Sequence, residues 1–164
     1  MDIRVFSATG SGPTPLAAFD RALQVGGVHD TNLIVLSSVV PAGATVVRGR
    51  AEPGEFTVGD RLYCVLAEQR AIEPGSEAWA GLAWAEDVDG RGGLFVEGHG
   101  HSEHQVRWDL EQTLDAILAD RPYWSVGAHD VEVAGVACDG QPVCGLVMAI
   151  YASAPWTRLL SPTT

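Results

Sequence analysis

Two adjacent serines, Ser37-Ser38, interrupt an apolar run, with Leu33-Ile34-Val35-Leu36 before them and Val39-Val40-Pro41 after. A serine hydroxyl becomes a nucleophile once its proton has somewhere to go. Read on composition alone, the pair is also two small residues that bond back to the local backbone. A second cluster, His99, His101 and His104, has the spacing HxHxxH. Histidines two apart on a strand share a face, as metal ligands can. No fourth ligand is evident and the tract crosses Gly100, so exposed loop histidines are the plainer reading. The basic residues set a firmer limit: all ten are Arg. Without Lys there is no lysine Schiff base, and no P-loop. Cys64, Cys138 and Cys144 form no CxxC pair. They read as small buried hydrophobes of a reducing compartment.

These residues need a scaffold, and the chain is long enough to build one. Its 164 residues are 46% hydrophobic and 19% charged, which describes one globular domain spanning 1–164 rather than a disordered segment. The net charge of −11 excludes a nucleic-acid backbone as partner and suits a small cation. The N-terminus lacks the basic and apolar regions of a signal peptide, and no apolar stretch is long enough to span a membrane. A cytoplasmic protein is expected.

Residues Ile3–Ala8 read as a strand, followed by a Gly- and Pro-containing loop. Thr14-Pro15 opens a helix, Leu16, Phe19, Ala22 and Leu23 fall at helical spacing, and Gly26-Gly27 ends it. Asn32–Val40 reads as one strand buried on both faces. A short strand is expected near Thr45–Val47, and further strands at Arg61–Glu68, Glu77–Ala85 and Gly93–His99. Ser102 and Gln105 have the spacing of a capping box for a second helix ending near Asp120. Val106, Leu110, Leu114, Ile117 and Leu118 form its apolar stripe. Val126–Ala137 and Val143–Ala152 close the chain as two strands, and 155–164 reads as a loose tail. Strands and helices so unevenly interleaved predict an α+β fold, a layered α-β-β-α sandwich of mainly antiparallel sheets with outer helices. The five Trp are expected in the core and at subunit contacts.

Three segments together resemble the pyruvoyl-dependent arginine decarboxylase family. Asn32-Leu-Ile-Val-Leu-Ser37-Ser38-Val-Val-Pro41 is similar to its self-cleavage site. Thr14-Pro-Leu-Ala-Ala-Phe-Asp20 is similar to its first helix, and Gly93-Leu-Phe-Val-Glu97 to the strand bearing its catalytic glutamate. They occur in the family's order. Two details depart from its pattern: Ala42 rather than a second proline follows Pro41, and Glu97 has few acidic neighbours.

The resemblance implies a chemistry that suits a chain without Lys. Decarboxylating an amino acid requires an electrophile that condenses with the α-amine and then takes up the electron pair left by CO₂; pyridoxal phosphate on a lysine is one solution. A pyruvoyl group made from Ser38 is another, and no metal is expected. Ser38 Oγ attacks the Ser37 carbonyl and the amide becomes an ester. Loss of the Ser38 α-proton eliminates the Ser37 carboxylate, and hydrolysis of the resulting dehydroalanine releases ammonia. The products are a β chain, 1–37, and an α chain, 38–164. By the same resemblance Glu97 returns a proton to the substrate carbon, and an apolar strand would raise its pKa and keep it protonated. Asn32 would position the cleaved bond, Asp20 would meet the guanidinium of arginine, and Leu16 and Phe95 would line the aliphatic part of the pocket. Read without the resemblance, Glu97 is a strand-end surface residue, Asn32 a turn residue and Asp20 a solvated helix carboxylate. Trimers of αβ protomers, with sites between subunits, are implied as well, and polyamine synthesis or acid tolerance would be the pathway served. Two alternatives use other chemistry: an unprocessed homologue acting as a binding or regulatory subunit, and a metal enzyme built on the histidine cluster.

Overall fold

The computed structural model describes residues 1–156. Their order is β1 (Asp2–Ser11), α1 (Pro15–Gly26), β2 (Asn32–Val35), β3 (Val39–Val40), β4 (Thr45–Arg48), β5 (Arg61–Ala71), β6 (Glu77–Glu86), β7 (Gly93–Gly100), α2 (Glu103–Ala119), β8 (Asp130–Ala137) and β9 (Val143–Ala154). The tail predicted at 155–164 lies mostly outside the described residues; its first carbonyl, that of Pro155, accepts a hydrogen bond from Arg61 at 2.8 Å.

A five-stranded sheet, β2-β5-β9-β1-β4, packs on a four-stranded one, β3-β7-β6-β8. The smaller sheet is antiparallel throughout, whereas β2 and β4 join the edges of the larger one in parallel. Alternation decides which side chains meet. Ile3, Val5, Val65, Val147, Ala149 and Tyr151 point between the sheets and meet Leu82, Trp84 and Phe95. The opposite parity, including Phe6, Leu62, Cys64, Leu146 and Met148, packs under α1. The layers are therefore α-β-β-α, as expected.

The sequence signals at α1 act as predicted. Thr14 Oγ1 accepts the Ala17 N–H at 3.1 Å, Pro15 opens the first turn, and Gly27 closes the helix at φ 76°. Gly10 lets the helix lie flat on β1, because a Cβ there would stand 2.2 Å from the Ala18 carbonyl oxygen. At α2 the predicted capping box does not form. Ser102 makes no side-chain cap bond, and Gln105 turns to Asp109 at 2.8 Å, a competing partner one turn along. The helix is held instead by Val106, Leu110 and Leu114. Leu110 sits against Gly81 and Gly98, where an added Cβ would meet its methyls at 2.8 and 3.0 Å. Truncating such a residue to Ala costs about 2–5 kcal/mol, and here it would also loosen the strand segment next to Glu97.

Two strand expectations are corrected. The final hairpin begins at Asp130 rather than Val126, which makes only an isolated bridge to Asp87. More consequentially, Asn32–Val40 is not one strand. β2 pairs with β5 in the larger sheet and β3 with β7 in the smaller, so the chain crosses between sheets at Leu36-Ser37-Ser38. Nor is the segment buried on both faces: Val35 and Val39 are 59% and 62% exposed. Both short strands lie at sheet edges, so an apolar run that reads as a core strand marks a boundary instead.

Candidate functional site

The crossing has an unusual backbone. Ser38 has φ 66°, the only positive φ at a non-glycine among the described residues. The left-handed region costs an L-residue roughly 1–2 kcal/mol, and a residue is held there only where its surroundings over-determine it. The determinants are visible on both sides. The Leu36 N–H donates to the Cys64 carbonyl at 2.8 Å, and the Phe95 N–H donates to the Ser38 carbonyl at 2.8 Å. The peptide between Ser37 and Ser38 thus spans two sheets, each holding one end.

The geometry brings two of the sequence candidates into contact: Ser38 Oγ donates a hydrogen bond to Glu97 Oε1. The glutamate has the parity of Phe95 along β7, so it starts on the inter-sheet side, but β3 flanks β7 only at Gly93 and Leu94, and Glu97 is exposed within the single chain. The burial expected for it on its strand is therefore not supplied by its own protomer. Tyr151, which the sequence reading missed, completes the cluster. Its hydroxyl donates to the Val39 carbonyl at 3.1 Å, and its ring packs on Phe95 with centroids 6.2 Å apart. Burial first, then the negative charge of Glu97, pushes its phenol well above the ordinary tyrosine range, so it stays a donor. The available signal was a Tyr inside an apolar strand, since a buried phenol needs a partner for its O–H.

The remaining candidates lie elsewhere. Phe95 is 3% exposed between Trp84 and Tyr151 in the inter-sheet core. Asn32 stands at the start of β2, where its side-chain amide donates to the Gly59 carbonyl at 2.8 Å. Asp20 and Leu16 are on α1, which packs on the outer face of the larger sheet. There they line a shallow depression of about 470 Å³ with Phe19 and Leu23. Asp20 accepts from Gln24 at 2.7 Å, and Leu16 is 67% exposed. Within one chain the α1 group and the Ser38–Glu97 pair are therefore on opposite sides of a sheet.

Competing chemistry finds little support. Cys64, beside the crossing, is buried, and burial pushes its thiol up to about 12. Among the described residues no three His, Cys, Asp or Glu side chains are placed to hold a metal, which removes the ligand set of the metal-enzyme alternative. His101 Nδ1 instead lies 2.8 Å from the Glu77 carbonyl. Of the five tryptophans Trp84 is buried, Trp79 and Trp124 pack partly buried against the cluster under α2, and Trp108 and Trp156 are exposed. Among the described residues no helix is long and apolar enough to cross a membrane.

The sequence has clear relatives. Residues 2–154 match the family model described as pyruvoyl-dependent arginine decarboxylase. The chain is 36% identical over 150 residues to the pyruvoyl-dependent arginine decarboxylase of Halobacterium salinarum, covering 91% of this chain and 92% of the relative. It is also 36% identical over 149 residues to that of Thermococcus sibiricus, covering 89% and 91%. A solved pyruvoyl-dependent histidine decarboxylase aligns with 66% of this chain and 55% of its own at TM-score 0.46 and 21% identity.

Proposed function

The chain belongs to the pyruvoyl-dependent arginine decarboxylase family, and from that premise we propose that it cuts itself between Ser37 and Ser38 and decarboxylates L-arginine to agmatine and CO₂. It is a carboxy-lyase whose cofactor is a covalent pyruvoyl group rather than pyridoxal phosphate, which a chain without Lys has no side chain to hold as an aldimine.

The residues around position 38 suit such a group. Ser38 supplies the hydroxyl, its bond to Glu97 holds Oγ in place, and the Oγ proton passes to the Ser38 nitrogen as the amide becomes an ester. Attack on the Ser37 carbonyl relieves a backbone held at φ 66°. The Phe95 N–H on the Ser38 carbonyl draws electron density from the α-carbon whose proton must then leave, and the cut at the Ser37–Ser38 bond does not remove its acceptor. Once formed, the pyruvoyl group supplies a ketone for the substrate amine and a conjugated carbonyl that takes up the electrons released with CO₂.

Glu97, within reach of residue 38, holds the proton that replaces CO₂. Asp20 meets the guanidinium in a bidentate pair, with Leu16 beside the substrate's methylenes. Because α1 and the Ser38–Glu97 pair are on opposite sides of a sheet, a complete site takes α1 from a second copy, and the family resemblance implies a homotrimer of αβ protomers. The partner would also cover Glu97 and exposed Val35 and Val39, supplying the desolvation a carboxyl acid needs. Asn32, tied to the Gly59 loop, would set the start of the strand that carries Ser37. We treat residues 1–164 as one domain and, on three buried unpaired cysteines, locate it in the cytoplasm.

The observation that carries this reading is the contact of a positive-φ Ser38 with Glu97. The test is to follow a freshly synthesised chain over time, reading cut fraction by mass and agmatine release from arginine, with ornithine and histidine as competitors. Agmatine formation should rise in step with the cut fraction. Full activity before cleavage, or preference for another amino acid, overturns it.

A further inference from the structure

Cutting before residue 38 leaves the new chain end at a weak place. Beyond it β3 is only two residues long, sits at the edge of its sheet, and carries Val39 at 62% exposure. Before the cut this segment is tied through Ser37 to β2, which pairs with β5. After the cut that tether is gone, and free ends on short edge strands fray. Yet the reacting group must stay within reach of Glu97, and a displacement of an ångström can cost a large part of the rate.

We infer that the Phe95 N–H and the Tyr151 hydroxyl clamp the α-chain end from two sides, making Tyr151 a positioning residue for the reaction. The bonds are in place before the cut: Phe95 N–H to the carbonyl of 38 at 2.8 Å and Tyr151 Oη to the carbonyl of 39 at 3.1 Å. Both acceptors belong to the fragment that keeps the cofactor, so neither bond is broken by cleavage. The donors come from different sheets, β7 and β9, and their rings pack on each other, so the two holds are rigidly related. Val40, 1% exposed, anchors the next position in the core. The clamp rests on the self-cleavage reading above.

Tyr151→Phe removes the hydroxyl and keeps the ring on Phe95. Four proteins separate the clamp from ordinary fold stability: wild type and Tyr151→Phe, each self-processed, and the same pair carrying Ser38→Ala so that both remain uncut. Hydrogen exchange at the Val40 amide is the main readout. In the processed pair exchange should quicken about fivefold without the hydroxyl, the worth of one neutral hydrogen bond. In the uncut pair, where the tether remains, the change should stay within about twofold. Turnover of the processed variant should fall about fivefold in kcat with KM nearly unchanged, since the substrate's own contacts are untouched. Equal exchange in the processed pair overturns the clamp, and so does an equally large change in the uncut pair, which would make Tyr151 an ordinary fold residue. A wild-type chain that never cuts overturns the reading beneath it and the clamp with it, and is seen before any substitution is made.

Discussion

Asp87 sits at the turn of the β6–β7 hairpin and Glu97 midway along β7 opposite Leu82, and the fold treats them in opposite ways. Asp87 has no exposed side-chain surface and is fully partnered. Its carboxylate accepts the Asp89 N–H at 2.8 Å and the Ser125 N–H at 3.3 Å, and pairs with Arg91 at 3.0 Å. Burial pushes its carboxyl up, but these donors outweigh it and hold the group below the ordinary aspartate range. It fastens the hairpin turn to the loop ahead of β8. Glu97 has a hydroxyl partner in Ser38, and it is exposed beyond the reach of β3. A carboxylate saturated with donors is committed to its charge and serves as a fastener. One with a single hydroxyl partner and an open side is free to exchange protons with what arrives there.

The comparison can be broken by substitution. The largest effect belongs to Glu97's partner: Ser38→Ala should leave a folded, uncut and inactive chain, read by intact mass and agmatine assay, and cleavage in that variant would remove the hydroxyl from the account. Glu97→Gln should still be cut, because an amide oxygen can accept the Ser38 hydroxyl, but kcat should fall about a hundredfold to ten-thousandfold. Near-normal turnover would move the proton donor elsewhere. Asp20→Asn sharpens the contrast from a third carboxylate, on α1. It should be processed normally and raise KM for arginine roughly tenfold or more, the loss of a charge-assisted pair. Asp87→Asn should process and turn over normally at low temperature while its thermal midpoint falls by several degrees.

Substitution at Asp87 is also read by pH. A carboxyl whose folded pKa is depressed contributes stability above its unfolded pKa and loses it as pH falls through the folded one. The wild type should therefore lose stability steeply below about pH 4, and Asp87→Asn should flatten that limb of a pH-dependent melting curve. An unchanged acid limb would show that Asp87 is not a principal fastener.

Much of this was legible in the sequence, for reasons that differ by residue. Thr14-Pro15 and Gly26-Gly27 bound α1 because capping and chain reversal are local chemistry. Alternation and Gly- or Pro-rich turns gave most strands. The Ser37-Ser38 interruption stood out as chemistry and not as a crossing, because no Gly or Pro marks the change of sheet, and Asn32–Val40 reads as a single strand until its partners, β5 and β7, are known. Glu97 came from the family resemblance, whereas its exposure depends on how far the edge strand β3 runs along β7. Asp87 was illegible: Glu86-Asp87-Val88-Asp89-Gly90 reads as a solvated turn, and its partner Ser125 is a distant loop residue. Tyr151 hid in an apolar run for the same reason, since its acceptor at Val39 is 112 residues away. Capping is written locally, whereas tertiary hydrogen bonds are not.

The central claim is a change of covalent structure at one peptide bond, and the mass of the purified protein after treatment with a carbonyl reagent reads it directly. The account predicts two fragments, 1–37 and 38–164, whose masses sum to the intact chain plus one water minus one ammonia, with the reagent on the new end of the longer piece. A single unlabelled chain of full mass in a preparation that forms agmatine from arginine would contradict it.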